Sequence, residues 1–206
     1  MRALILVDIQ NDFLPGGALA VPEGDQVIPV ANQVQPHFDL IVATQDWHPA
    51  DHGSFAANHS GQKPGEIIDL DGLPQILWPV HCVQGSPGAE FAAQLDRSRW
   101  NAIFPKGTEV NIDSYSGFFD NGHRKATGLT DYLKEHGVTE VFIMGLAADY
   151  CVKYTALDAL SEGFATYLIA DGTRGVNLQA EDTQLALREM LEKGVTLMQS
   201  QEVNKL

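Results

Sequence analysis

Cysteine is scarce: the chain carries two, Cys82 and Cys151, in 206 residues. That excludes a disulfide-stapled scaffold, and in a reducing compartment a bridge between the pair is not expected, so both are read as free thiols. Basic residues are few as well. Thirteen Lys and Arg face 27 Asp and Glu, a formal net charge of −14, whereas phosphate neutralisation needs clustered basic residues. No nucleic-acid partner is expected. Long apolar runs are missing too: "ALILV" behind Met1 and Arg2 is cut by Asp8, short of a signal-peptide core and far short of the roughly 20 apolar residues that cross a bilayer. The reading is a cytoplasmic protein with no membrane partner. Internal repeats, low-complexity tracts and linkers are also lacking. At 44% hydrophobic content the chain suits one domain over 1–206 that buries about 70% of its unfolded surface.

What the chain does have is a rhythm. Short apolar runs with little polar alternation start at Ala3 ("ALILVDI"), Asp39 ("DLIVATQD"), Asn101 ("NAIFPKG"), Glu140 ("EVFIMGLA"), Ala165 ("ATYLIADG") and Val195 ("VTLMQS"). Runs of this length suit strands buried on both faces of a parallel sheet. Helical spacing lies between most of them. "DYCVKYTALDALSEG" is apolar at Val152, Ala156, Leu157 and Leu160 and stops at Gly163; "AEDTQLALREMLEKG" is apolar at Leu185, Leu187, Met190 and Leu191 and stops at Gly194. "GLTDYLKEHG" and Asp25 to Gln35, with Pro29 in its first turn, are the weaker helices.

Strand and helix in alternation predict an α/β fold: a three-layer α/β/α sandwich with a mostly parallel six-stranded sheet in the order 3-2-1-4-5-6. One interval breaks the rhythm. Pro49 to Arg99 is rich in Gly, Pro, His and Asn, and a connection of that length is usually functional, so a capping insertion after strand 2 is expected.

In open parallel sheets ligands bind beyond the carboxyl ends of the strands, where strand order reverses. Chemistry-bearing residues collect at those ends here: Asp8 after strand 1, Lys106 after strand 3, and Cys151 just after strand 4 at a helix start. Each alone has an ordinary reading, as a turn residue, a solvated surface charge and a buried thiol. Together they supply a nucleophile, a base and a cation, because a thiol reacts as its thiolate and needs positive charge and a proton acceptor nearby. The small Ala147 and Ala148 would let backbone N–H groups of the preceding turn reach a substrate oxygen.

A second set has metal-ligand character. Asp46 and His48, two apart on an extended segment, share one face, and His81 in "WPVHC" is the third donor; His52 and His59 lie nearby as alternatives. Two imidazoles and a carboxylate leave coordination positions open. Residues alone therefore leave a thiol hydrolase with a metal, a hydrolase whose nucleophile is metal-bound water, and a non-catalytic metal-binding module; the same donor set suits an iron(II) oxygenase, but such sites usually sit on all-β scaffolds, against the strand-helix rhythm here.

"ALILVDIQNDFLPGGALAV", "ATQDWHPADHGSFA", "WPVHCVQGSPGAEF", "FPKG", "YSGF" and "GLAADYCVKYTALDA" resemble the nicotinamidases, which also hydrolyse pyrazinamide, within the isochorismatase-like hydrolase superfamily. The resemblance runs from residue 1 to about residue 200. It implies a catalytic triad of Asp8, Lys106 and Cys151, and a cis peptide at Leu146–Ala147 with an oxyanion hole from the amides of Ala147 and Cys151. It further implies that Asp46, His48 and His81 hold a divalent metal, Zn²⁺ first with Fe²⁺ or Mn²⁺ as alternatives, and that Phe13, Trp78 and Tyr115 line the ring pocket. His52 stands at the near end of the range where some relatives place a further ligand. The implied activity is hydrolysis of nicotinamide to nicotinic acid and ammonia through a cysteine thioester, in NAD salvage; the alternative is another amidase or an isochorismatase-type hydrolase of the same superfamily. A small-molecule substrate is the expected partner, and a homo-oligomer is left open.

Overall fold

A computed structural model describes residues 1–205. Six strands form one sheet: β1 (Arg2–Val7), β2 (Leu40–Asp46), β5 (Ala102–Lys106), β6 (Glu140–Leu146), β7 (Ala165–Arg174) and β8 (Thr196–Met198). Their spatial order is β5-β2-β1-β6-β7-β8 and every pairing is parallel. Counted along the chain that is 3-2-1-4-5-6, as expected, with the reversal between β1 and β6. Five helices accompany it: α1 (Val27–Val34), α2 (Leu129–Glu135), α3 (Cys151–Ser161), α4 (Asp182–Lys193) and α5 (Ser200–Val203).

The apolar runs explain the three layers. Successive side chains of a strand point to opposite faces, so β1 sends Leu4 and Leu6 to one core and Ala3, Ile5 and Val7 to the other. The first core takes Val27, Ile28, Ala31 and Val34 of α1 together with Val203 of α5. The second takes Leu129 and Leu133 of α2, Val152, Ala156 and Ala159 of α3, and Met190 of α4. Each fully buried aliphatic side chain contributes about 1.5–3 kcal/mol, which is why a strand without polar alternation is held between helices and not at a surface. Pro29 sits in the first turn of α1, where its missing N–H costs nothing.

Helix α4 departs from the expected face. Ala186 and Met190 are its buried residues, while Leu185 and Leu191 are 52% and 56% exposed. Residues four apart stack on one side of a helix, and the narrow stripe through Ala186 and Met190 leaves Leu185 and Leu191 on its two flanks. Leu187 packs at the edge of the core.

The long insertion after β2 holds a hairpin, β3 (Ile67–Leu70) against β4 (Leu73–Ile76). The piece "EIIDL" carries β3, whereas "QILWPV" gives β4 only Gln75 and Ile76, the strand starting earlier at Leu73; Asp71 and Gly72 join the two strands, both at positive φ (52° and 85°), as a two-residue hairpin turn requires. Bridges of Phe55 with Trp78 and of His48 with Val83 fold the insertion back over the carboxyl ends of the strands. None of the helices among the described residues is long and apolar enough to cross a membrane.

Candidate active site

At the reversal point the ladder between β1 and β6 ends with Val7 paired to Gly145. Gly145 lies at φ 123°, and a Cβ on it would fall on the carbonyl oxygen of Val7; only glycine permits that approach. Beyond it Asp8 turns out of β1 at φ 47°, and Cys151 is the first residue of α3, where the helix end offers partial positive charge.

Lys106 reaches inward from β5 and ties these groups together. Its Nζ lies 2.8 Å from Asp8 Oδ2, 2.6 Å from Asp46 Oδ1, 2.8 Å from the Ser114 carbonyl and 3.4 Å from Cys151 Sγ. Its contact with Asp46 was not anticipated from sequence: one ammonium serves both the triad and the metal-type cluster. Ligand atoms of Asp8, Asp46 and Cys151 lie within 4.8 Å of one another.

The charges divide unequally. Burial pushes the Lys106 ammonium down, but Asp46 and Asp8 together hold it well above the usual lysine range, so it stays protonated. Burial pushes the Asp46 carboxyl up, yet Lys106 and then His48 hold it well below the usual range. Asp8 is raised instead: burial dominates, Lys106 opposes it, and the Asp46 charge adds to it. Burial likewise raises the Cys151 thiol, against Lys106. The resting pair is therefore a neutral thiol beside a carboxylate with enhanced proton affinity. Thr44 Oγ1 donates to Asp8 Oδ1 at 2.6 Å. Asp8 Oδ2 pairs with Lys106 at 2.8 Å, and a carboxylate oxygen with one partner retains a second lone pair.

The peptide between Leu146 and Ala147 is cis. In the turn that follows, the carbonyl of Ala147 accepts from the amides of Tyr150 and Val152, and the amide of Ala148 donates to the Arg174 carbonyl at 2.8 Å. Ala148 N–H is thus spent within the turn. The amides of Ala147 and Cys151 have no acceptor among the described residues.

The second cluster forms as its spacing suggests. Nε2 of His48 and of His81 lie 3.3 and 3.6 Å from Asp46 Oδ2. Each ring turns its other nitrogen to a backbone carbonyl, His48 Nδ1 to Gly107 at 2.8 Å and His81 Nδ1 to Pro79 at 2.7 Å. A carbonyl acceptor on Nδ1 fixes the tautomer with a free Nε2, as in metal-binding imidazoles. His48 Nε2 is buried without a hydrogen-bond partner, a cost that a bound cation removes. Burial pushes His48 down, and the Asp46 carboxylate more than reverses it, taking the imidazole up to about 9; the spot favours positive charge. The donor set and its orphaned nitrogen fit a divalent cation.

His52 packs 4.3 Å from the His48 ring, and its ligand atom lies within 4.8 Å of those of His48 and Asp113. Both its nitrogens are engaged, Nδ1 with Ser54 Oγ at 2.7 Å and Nε2 with the Ile112 carbonyl at 3.3 Å, and burial pushes it down to about 4. It braces His48 and is not free to join the cluster. His59 Nε2 meets the Gly53 carbonyl at 2.7 Å and belongs to the loop.

One cavity meets both clusters. Phe13, Trp78 and Tyr115 line it with Asp46, His81, Ala147 and Cys151, so the three expected ring-pocket residues share a wall with the thiol. Trp78 Nε1 donates to the Tyr115 hydroxyl at 3.1 Å, which locks the two rings. Leu19, Asp113, Tyr150 and Val176 complete the lining and were missed. Tyr150 could have been inferred from its place beside Cys151; Val176 arrives from the loop after β7 and carries no local signal.

Fold and site together define an α/β protein that gathers a thiol, a carboxylate and an ammonium beside a set of donors that could hold a metal ion. The chain belongs to the isochorismatase family, whose Isochorismatase domain model matches residues 2–202. It is 52% identical to a nicotinamidase of Escherichia coli over 95% of this chain and 93% of that protein. It is 39% identical to a nicotinamidase/pyrazinamidase of Mycobacterium tuberculosis over 96% and 98%. Among solved structures, a nicotinamidase pyrazinamidase of Acinetobacter baumanii matches with a TM-score of 0.95 and 46% identity, covering 98% of this chain and 97% of that one. A pyrazinamidase of Pyrococcus horikoshii, solved in complex with zinc, matches with a TM-score of 0.78 and 42% identity over 96% and 98%.

Proposed function

We propose that this protein is a nicotinamidase, a cysteine amidohydrolase that converts nicotinamide to nicotinic acid and ammonia and accepts pyrazinamide. The observation that carries this is Lys106, whose Nζ touches Asp8, Asp46 and Cys151 at once and so joins a thiol triad to a cation site at one aromatic cavity. The high identity to nicotinamidases over nearly the whole chain supports the substrate. PnC1 from L. infantum, a structural neighbour at a TM-score of 0.85, was solved with nicotinate. We read residues 1–206 as one hydrolase domain acting in the cytoplasm.

A ring amide enters between Phe13, Trp78 and Tyr115, with its carboxamide toward Cys151. Asp8 takes the thiol proton, and Cys151 Sγ adds to the carbonyl carbon. The oxyanion is met by the amides of Ala147 and Cys151. Asp8 returns the proton to nitrogen as the C–N bond breaks, leaving ammonia and a thioester. A water, deprotonated by Asp8, then cleaves the thioester to the acid and the free thiol. Lys106 stays charged throughout and offsets the negative charge that moves between Asp8 and sulfur. Asp46, His48 and His81 would hold the cation, which supplies Lewis-acid orientation of the ring nitrogen; imidazole and carboxylate donors suit Zn²⁺ first, with Fe²⁺ or Mn²⁺ also accommodated.

The test is ammonia release from nicotinamide by the wild type and by Cys151→Ala, with nicotinate binding measured in both. The variant is expected to bind nicotinate and release no ammonia. Undiminished release would remove the thioester step and leave metal-bound water as the nucleophile.

A further inference from the structure

We propose that Gln10 is a positioning residue for the cation site, holding the backbone of Asp46 in place with its side-chain amide. The ladder between β1 and β2 ends at Val7 and Thr44, and Asp8 then turns away at φ 47°. Asp46 is thereby left two residues beyond the last β1 pairing. Gln10 fills the gap with a side chain. Its Oε1 accepts from Asp46 N–H at 2.8 Å, and its Nε2 donates to the Asp46 carbonyl at 2.8 Å and to the Ala89 carbonyl at 2.8 Å.

The amide therefore pairs with Asp46 as a neighbouring strand would, through one donor and one acceptor on the same residue. Its orientation is unambiguous, because a flipped amide would set oxygen against two carbonyls and nitrogen against an N–H. Gln10 is fully buried. Its own N–H donates to the Asp8 carbonyl at 2.8 Å. One residue thus links the backbones of Asp8 and Asp46, the two acids that grip Lys106 from either side.

Asp46 has two tasks that tolerate little movement: Oδ1 meets Lys106 while Oδ2 faces both imidazoles. Partners that orient a ligand typically govern about 10–100-fold in metal affinity. Gln10 acts on that scale, through Asp46 and without touching the ion.

The inference rests on the cation-site reading, and the experiment separates the two. Metal-free wild type, Gln10→Leu, Gln10→Asn and Leu133→Ala are titrated with Zn²⁺ against a chromophoric competitor, and their thermal unfolding is recorded. Both Gln10 variants are expected to bind Zn²⁺ about 10–100-fold more weakly. Leu133, buried under α2 in the opposite core, provides a variant that melts lower with unchanged Zn²⁺ affinity. A Gln10 variant that melts lower but binds Zn²⁺ as the wild type does would overturn the proposal and leave Gln10 a packing residue. Gln10→Asn keeps a polar amide one methylene too short to span both groups of Asp46, and it decides the matter if Gln10→Leu does not fold. A wild type that bound no Zn²⁺ in the same titration would overturn the cation-site reading itself.

Discussion

Replacing Lys106 by Met removes the ammonium that Asp8, Asp46 and Cys151 share. The ammonium is fully buried and pairs with Asp8 and Asp46 at 2.8 and 2.6 Å. Breaking a buried pair from one side costs about 3–5 kcal/mol, because the partner is left charged and unsolvated. A chain of this size loses about 2–4 °C of melting temperature per kcal/mol, so Lys106→Met should melt about 6–20 °C lower near neutral pH. The pH dependence gives the sharper test. Without the ammonium Asp8, already raised by burial, rises further, and Asp46 loses the largest of the charges that hold it down, so the variant's native state binds more protons than the wild type's. The variant's stability relative to the wild type then falls as pH rises and is regained on acidification. The wild type behaves oppositely at Asp46, whose depressed value makes its contribution present above the ordinary carboxylate range and lost as pH falls below it. The assay is differential scanning calorimetry of both proteins from pH 8 to pH 5. The gap in melting temperature should narrow toward pH 5. A gap that stayed constant would refute the claim that uncompensated carboxylates cause the loss, and point to the packing of the lysine stem.

Two further variants probe single contacts. Thr44→Val deletes the 2.6 Å hydrogen bond to Asp8, and a bond to a charged group is worth about 1.5–3 kcal/mol. Losing it raises Asp8 further, so the acidic limb of the kcat/KM profile should move to higher pH; an unmoved limb would separate Asp8 from the titration that limits turnover. Gly107 lies at φ 62°, and a Cβ there would overlap the His48 ring. Gly107→Ala should therefore lower the metal content of purified protein measured by atomic emission, and full occupancy would show that His48 can move without loss.

Much of this was readable along the chain because it depends on local pattern. Apolar runs of strand length with helices between them imply the parallel sheet, and the reversal it contains brings Asp8 and Cys151 together by topology alone. Asp46 and His48 share a face because they are two apart. What was not readable depends on distance. The hairpin within the insertion hinges on Asp71 and Gly72, a turn signal inside a stretch otherwise read as irregular. The exposure of Leu185 and Leu191 follows from how narrow a stripe of α4 meets the core, which periodicity does not measure. The bond from Lys106 to Asp46, the Thr44 contact to Asp8 and the Gln10 clamp join residues at least 36 positions apart, and no local spacing announces them.

The central claim is that Cys151 sulfur carries the acyl group. Acid-quenching the wild type during turnover of nicotinamide and mapping the peptides by mass spectrometry tests it directly. A nicotinoyl adduct on the Cys151 peptide, absent from Cys82 and from Cys151→Ala, is the predicted result; ammonia release with no adduct, continuing in Cys151→Ala, would contradict it.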